Sequence, residues 1–105
     1  MNKECWSIWD ARVYFEDDPE KSKIRPVVVL GEDTYYCMSL SVTSKSKDRF
    51  YAYKLVDWEK AGLDRESYVK LEQFEIDHND FTYFIGNLQN IDIVGLQDAL
   101  LYKYR

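Results

Sequence analysis

Residues 23–30 read KIRPVVVL: a charged approach, a proline, then four apolar residues in a row. Proline cannot donate inside a central strand but is tolerated at a strand's first residue. The stretch therefore predicts a strand from Pro26 to Leu30, ended by Gly31. Val27 to Leu30 are apolar at every position, so that strand should be buried on both faces. Arg25 then stands at its mouth, next to a stiff residue. A guanidinium in that place is either an ion-pair partner of the preceding loop, through Glu16 or Asp17, or a ligand for an anion.

Outward from this strand, WSIWDARV (6–13) is aromatic and β-branched enough for a first strand. YFEDDPEKSKI (14–24) is a charged loop around Pro19. TYYCMSLSVT (34–43) alternates with period two, which marks a half-buried strand. Tyr36, Met38, Leu40 and Val42 take one side; Tyr35, Cys37, Ser39, Ser41 and Thr43 take the other. Three hydroxyls thus share a face. SKSKDR makes a polar turn, and RFYAYKL (49–55) a fourth strand.

DWEKAGL (57–63) reads as one helical turn, with Asp57 as N-cap and Gly62 as the stop. SYVKLEQFEI (67–76) is a strand whose apolar phase changes: Val69 and Leu71 are odd, Phe74 and Ile76 even. A slip of one residue predicts a bulge near Glu72–Gln73. FTYFIGNL (81–88) forms a last short strand. In DIVGLQDALLYK (92–103) the positions of Ile93, Leu96 and Leu100 predict a helix capped by Asp92. Gly95 inside it is about 1 kcal/mol worse than Ala, so packing must support that helix. Short strands followed by one amphipathic helix predict a mainly β fold, a small barrel or curled sheet with the helix against it.

A chain of 105 residues predicts one domain, and 46% hydrophobic residues suffice for a core. The start, MNKECWSIWDAR, is broken by charges before any signal-like apolar run forms, and no stretch approaches a membrane span. Cys5 and Cys37 are expected as thiols in a reducing cytoplasm. Their spacing fits no zinc motif and there is one histidine, His78, so no metal and no cofactor are expected. The four glycines are scattered, without a phosphate loop. Glu72, Glu75 and Asp77 form no nuclease or glycosidase pair.

The net charge of −5 argues against a general nucleic-acid binder, but it is unevenly spread. Residues 1–19 balance at −3, residues 20–54 at +3 and residues 55–105 at −5. The basic middle holds Lys21, Lys23, Arg25, Lys45, Lys47, Arg49 and Lys54. It is either a pair of solvated loops or a surface for a short anionic ligand. Tyr35, Tyr51 and Tyr53 could stack on bases, or belong to the core.

Several of these motifs, in this order, resemble the MazF/PemK family of toxins from type II toxin–antitoxin pairs. Arg25-Pro26-Val27-Val28-Val29-Leu30 is similar to the family's RPVLVI-type strand. Ser41-Val42-Thr43 falls where the family has a Thr or Ser, and SYVKLEQFEID (67–77) resembles its S-V-x-L-x-Q-I strand. DWEKAGL before that strand is similar to the PemK-like branch, and DIVGLQDAL to the family's final helix. The resemblance spans residues 6–101.

It implies an SH3-like barrel of the MazF, CcdB and Kid type, usually a homodimer. It also implies a metal-independent endoribonuclease that cuts single-stranded mRNA to arrest growth, neutralised by an antitoxin whose disordered tail occupies the RNA groove. The family's catalytic Arg and Thr map to Arg25 and Thr43. Lys21, Ser22, Lys23, Ser41, Ser44, Lys45, Lys47, Arg49 and Gln73 are the candidate RNA contacts. Two departures stand out. Relatives often begin the first strand with Gly-Asp, where this chain has Trp6-Ser7. Many carry an Arg after the Gln of the LEQ strand, where this chain has Phe74, Glu75 and Ile76. A non-catalytic toxin of the same fold, acting on a protein partner as CcdB relatives do, is the competing expectation.

Overall fold

The computed structural model describes residues 4–15, 17–31, 36–42 and 51–104. The strands are β1 (Ser7–Tyr14), β2 (Ser22–Val29), β3 (Tyr36–Ser41), β4 (Ala52–Lys54), β5 (Tyr68–Lys70), β6 (Phe74–Glu75) and β7 (Phe81–Asn87). One helix, α1 (Asn90–Lys103), follows them. The strands form one antiparallel sheet in the order β4-β5-β3-β2-β1-β7, with β6 also paired to β3. This is the mainly β architecture with a C-terminal helix that the hydrophobic pattern predicts.

β2 lies at the centre, and Val27, Val28 and Val29 are all fully buried. They serve two different cores. Val28 joins Ile8, Met38, Leu40, Leu55, Val69, Leu71, Leu88 and Leu96 in the larger cluster. Val27 and Val29 join Ala11, Cys37 and Ile76 in a smaller one on the opposite face. The strand begins earlier than expected, at Ser22 rather than Pro26. Pro26 pairs with Asp10 of β1, while pairing with β3 starts only at Val27. Its missing donor therefore falls where the ladder to β3 has not yet begun.

The phase change in residues 67–76 also has a different origin from the one expected. Leu40 pairs with Val69 and Cys37 with Phe74, so three steps along β3 match five along the β5–β6 segment. The irregularity at 71–73 is thus two residues, not one, and an insertion of two leaves side-chain direction unchanged. Val69 and Leu71 pack into the larger core, Phe74 and Ile76 into the smaller. Odd residues cover one core first; even residues then cover the other.

Residues 57–63 form hydrogen-bonded turns rather than a helix, with Ala61 N–H donating to Asp57 C=O at 3.3 Å and Leu63 N–H to Trp58 C=O at 3.1 Å. Gly62 ends them at φ +99°, a left-handed conformation that glycine adopts without a Cβ penalty. The helix starts at Asn90 behind Gln89, two residues before the expected cap.

Asp92 does not cap. It is fully buried in the first turn and accepts from Tyr53 Oη at 2.9 Å, Val56 N–H at 2.8 Å and Asp57 N–H at 2.9 Å. Tyr53 is thereby a core residue, not a stacking platform. Burial first, and the bond to Asp92 second, push its phenol up to about 12. A Cβ at Gly95 would collide with the Tyr53 hydroxyl, which explains the glycine inside the helix. At the other end, Lys103 Nζ and Tyr104 Oη donate to Leu71 C=O at 3.2 and 3.0 Å, tying the helix to the irregular segment.

Candidate functional site

Strand alternation decides which side chains share the second face of the sheet. Val27 and Val29 mark that face on β2, so Lys23 and Arg25 belong to it. On β3, Cys37 is buried in the small core and Ser39 and Ser41 follow on the same side. Ser41 pairs with Tyr68 of β5. Val69 and Leu71 point into the larger core, so Tyr68 and Lys70 point away from it, onto this face. Lys70 in turn pairs with Ala52 of β4, and Tyr68 with Lys54.

The small core covers only part of the face. Beyond Ala11, Val27 and Cys37 its residues become Lys23, Arg25, Ser39, Ser41, Tyr68, Lys70 and Lys54. The last pairing of β2 with β3 joins Val27 and Ser39. The ladder ends there, and Arg25 and Ser41 are the next residues on this face of their strands. Arg25 is half-buried and makes no ion pair among the described residues; Asp17 does not engage it. A guanidinium on the same sheet face as serine hydroxyls, with no ion-pair partner among the described residues, is suited to a phosphate.

Lys23 is exposed on the same strand. Lys21 is exposed and ion-paired with Asp18 at 3.9 Å. Ser22 accepts from Arg12 Nη1 at 3.1 Å. Arg25, Lys23 and Ser41 therefore share one face, while Lys21 precedes β2 and Ser22 opens it. Gln73 lies elsewhere, in a groove on the helix side with Trp6, Leu30, Leu100 and Leu101. Thr43, Ser44, Lys45, Lys47 and Arg49 lie outside the described residues, as do Glu16 and Tyr35.

Sequence reading missed Tyr68 and Lys70. The signal was present: in S-Y-V-K-L, burial of Val69 and Leu71 forces Tyr68 and Lys70 to the opposite side. Next to them is a cavity of about 250 Å³ lined by Val13, Tyr14, Ser39, Lys70, Glu72 and Phe74. Among the described residues, no cluster of three or more His, Cys, Asp or Glu could hold a metal ion.

The departures from the family pattern have structural counterparts. Trp6 has φ +70°, the left-handed region that favours glycine. Its N–H donates to Val29 C=O at 2.6 Å and its C=O accepts from Leu88 N–H at 2.9 Å, so the conformation is locked between β2 and the end of β7. Glu75 accepts a hydrogen bond from Tyr36, whose phenol pKa is raised by that bond and the adjacent charge. Cys37, in the small core, has its thiol pushed up to about 12 by burial.

Comparison with known proteins agrees with this arrangement. No curated protein matches the chain. Among solved structures, the chain is similar to the Mycobacterium tuberculosis toxin MazF-mt6 at a TM-score of 0.72. That match has 21% identity and covers 93% of this chain and 95% of the toxin, so it speaks for the fold. The family described as the PemK-like, MazF-like toxins of type II toxin–antitoxin systems matches residues 4–102. With the central RPVVVL strand, the curled antiparallel sheet and the closing helix all in place, the chain belongs to that family of toxins, which act as one half of a toxin–antitoxin pair.

Proposed function

We propose that the protein is an endoribonuclease that cuts single-stranded mRNA in the cytoplasm without a metal ion, and is held in check by its antitoxin. One observation carries this reading: Arg25 lies in β2 on the same face as Ser41, beyond the end of the β2–β3 ladder, and has no ion-pair partner among the described residues. The chemistry is transfer within the RNA. The 2′-OH loses its proton, its oxygen attacks the neighbouring phosphorus, the bond from phosphorus to the 5′-oxygen breaks and that oxygen takes up a proton. Negative charge grows on the phosphoryl oxygens meanwhile. Arg25 meets that charge with two parallel donors that stay protonated throughout.

Interactions stronger in the transition state than in the ground state raise kcat, so Arg25 acts mainly on rate. Thr43 is the second member of the proposed catalytic pair, a neutral donor to the phosphate or to the 2′-OH. Lys23 and the basic residues of 44–49 hold the flanking phosphates. Incubating the purified protein with a long single-stranded RNA in the presence of a chelator tests the reading. Discrete cleavage products are expected. An intact RNA from a preparation that still arrests growth would overturn it and point to a protein target.

The working unit is a homodimer. β7 is the last strand of the sheet and exposes Tyr83 and Phe84, while α1 exposes Ile91, Val94 and Leu101. Obligate interfaces bury about 2,000 Å² or more and take up such residues. Sedimentation at micromolar concentration should give twice the chain mass; a monomer alone would contradict this.

A further inference from the structure

The cavity beside Lys70 has no part in the cleavage step above, and its lining is divided. Val13, Tyr14 and Phe74 form an apolar and aromatic side; Ser39, Lys70 and Glu72 form a polar one. The Tyr14 hydroxyl donates to Asp80 at 3.4 Å, which restrains the ring at the rim. Lys70 and Glu72 line the same cavity, yet neither makes an ion pair among the described residues. They are exposed, opposite in charge and available to a ligand.

The volume of about 250 Å³ lies just under the roughly 300–1,000 Å³ of pockets that enclose a whole small molecule. It suits one unit of a longer ligand. Its place suits RNA, because Ser39 sits opposite Val27 and one step beyond on the same face lies Arg25. The two-residue excess at 71–73 keeps Lys70, Glu72 and Phe74 on that face while widening the strand there, as bulges beside functional sites do.

On the ribonuclease reading above, we infer that this cavity is a one-nucleotide RNA subsite that selects a base with an exocyclic amino group. Lys70 holds a phosphate. Phe74 and Tyr14 receive the face of the base, a contact that every base can make. Glu72 supplies selectivity: a carboxylate accepts from the amino group of cytosine and has nothing to accept from the keto oxygen at the same place in uracil.

The test is binding of fluorescein-labelled hexacytidylate and hexauridylate, which differ at C4 of the base, amino against keto, and at the adjacent N3, bare against protonated. The wild type should bind the cytidine oligomer about tenfold more tightly or better. Glu72→Gln, whose amide can donate to a keto oxygen, should erase the preference. Lys70→Gln should weaken both oligomers about tenfold without changing their ratio and flatten the salt dependence by about 0.7, while Lys70→Arg retains binding. Melting curves unchanged from wild type establish that each variant is folded. Equal binding of the two oligomers by the wild type, or a preference that survives Glu72→Gln, would overturn the selectivity. Unchanged binding in Lys70→Gln would overturn the phosphate contact. A wild type that binds neither oligomer and cuts no RNA would instead overturn the ribonuclease reading itself.

Discussion

The two faces of the sheet are built from the same strands but to different ends. One is covered by α1, and its residues form a continuous apolar cluster from Ile8 to Leu96. The other is covered by a small cluster around Val27 and Cys37, beyond which Lys23, Arg25, Ser41, Tyr68 and Lys70 replace apolar side chains. Strand alternation makes the two inseparable: each apolar residue directed into the large core sets its neighbours on the other side. Tyr68 and Lys70 are positioned because Val69 and Leu71 are buried. The covered face supplies stability, and through it a rigid platform for the open one. Substitutions in either buried cluster should therefore change folding, and substitutions at the polar positions of the second face should change RNA binding or cleavage while leaving folding alone.

The largest stability effect is expected at Asp92, beneath the covered face. Asp92→Ala leaves the Val56 and Asp57 amides and the Tyr53 hydroxyl without their acceptor. Hydrogen bonds to charged groups contribute roughly 1.5–3 kcal/mol each and do not add fully, so a loss of about 3 kcal/mol or more is expected. Urea unfolding measures it. Asp92→Asn, which keeps one acceptor oxygen, should lose less.

A moderate effect should appear on raising the pH. The Cys37 thiol moves from 9.0 to about 12 and the Tyr53 phenol from 10.0 to about 12 in the folded chain. Above pH 9 the unfolded chain gives up protons that the folded chain keeps, so stability is intact below that pH and falls as pH rises toward 12. Thermal melts across this window should show the decline, and Cys37→Ala should make it shallower. The smallest stability effect belongs to the open face. Lys23→Glu should change stability by no more than about 0.5 kcal/mol. It should nonetheless weaken RNA binding and flatten its salt dependence. A Lys23→Glu protein that unfolds, or binds RNA as before, would dissolve the division between the faces.

What could be read from sequence followed from hydrophobic period, and what could not followed from pairing. VVVL announces burial on both faces, and this is how β2 is used. The same run does not say where the neighbouring ladders start, so it places Pro26 at the head of a strand that in fact begins at Ser22. In residues 67–76 the period showed a change at 72–73 but could not show that a second core lies on the other side. Asp92 has the chemistry of a cap and the position of one. Only the approach of residues 53–57 to the helix turns it into a buried acceptor. At the proposed site, the face that Arg25 and Ser41 take follows from strand alternation, whereas Lys70 reads as an ordinary surface lysine until Ser41 is seen opposite Tyr68.

On the proposed function, Arg25 on the open face performs chemistry and not structure. Cleavage of a defined single-stranded RNA by wild type and by Arg25→Ala, each with a melting curve measured on the same preparation, tests it most directly. A rate about 10²–10³-fold lower is expected for Arg25→Ala at an unchanged melting temperature, with Arg25→Lys also strongly impaired. Full cleavage by Arg25→Ala, or a loss of activity that follows a loss of folding, would contradict it.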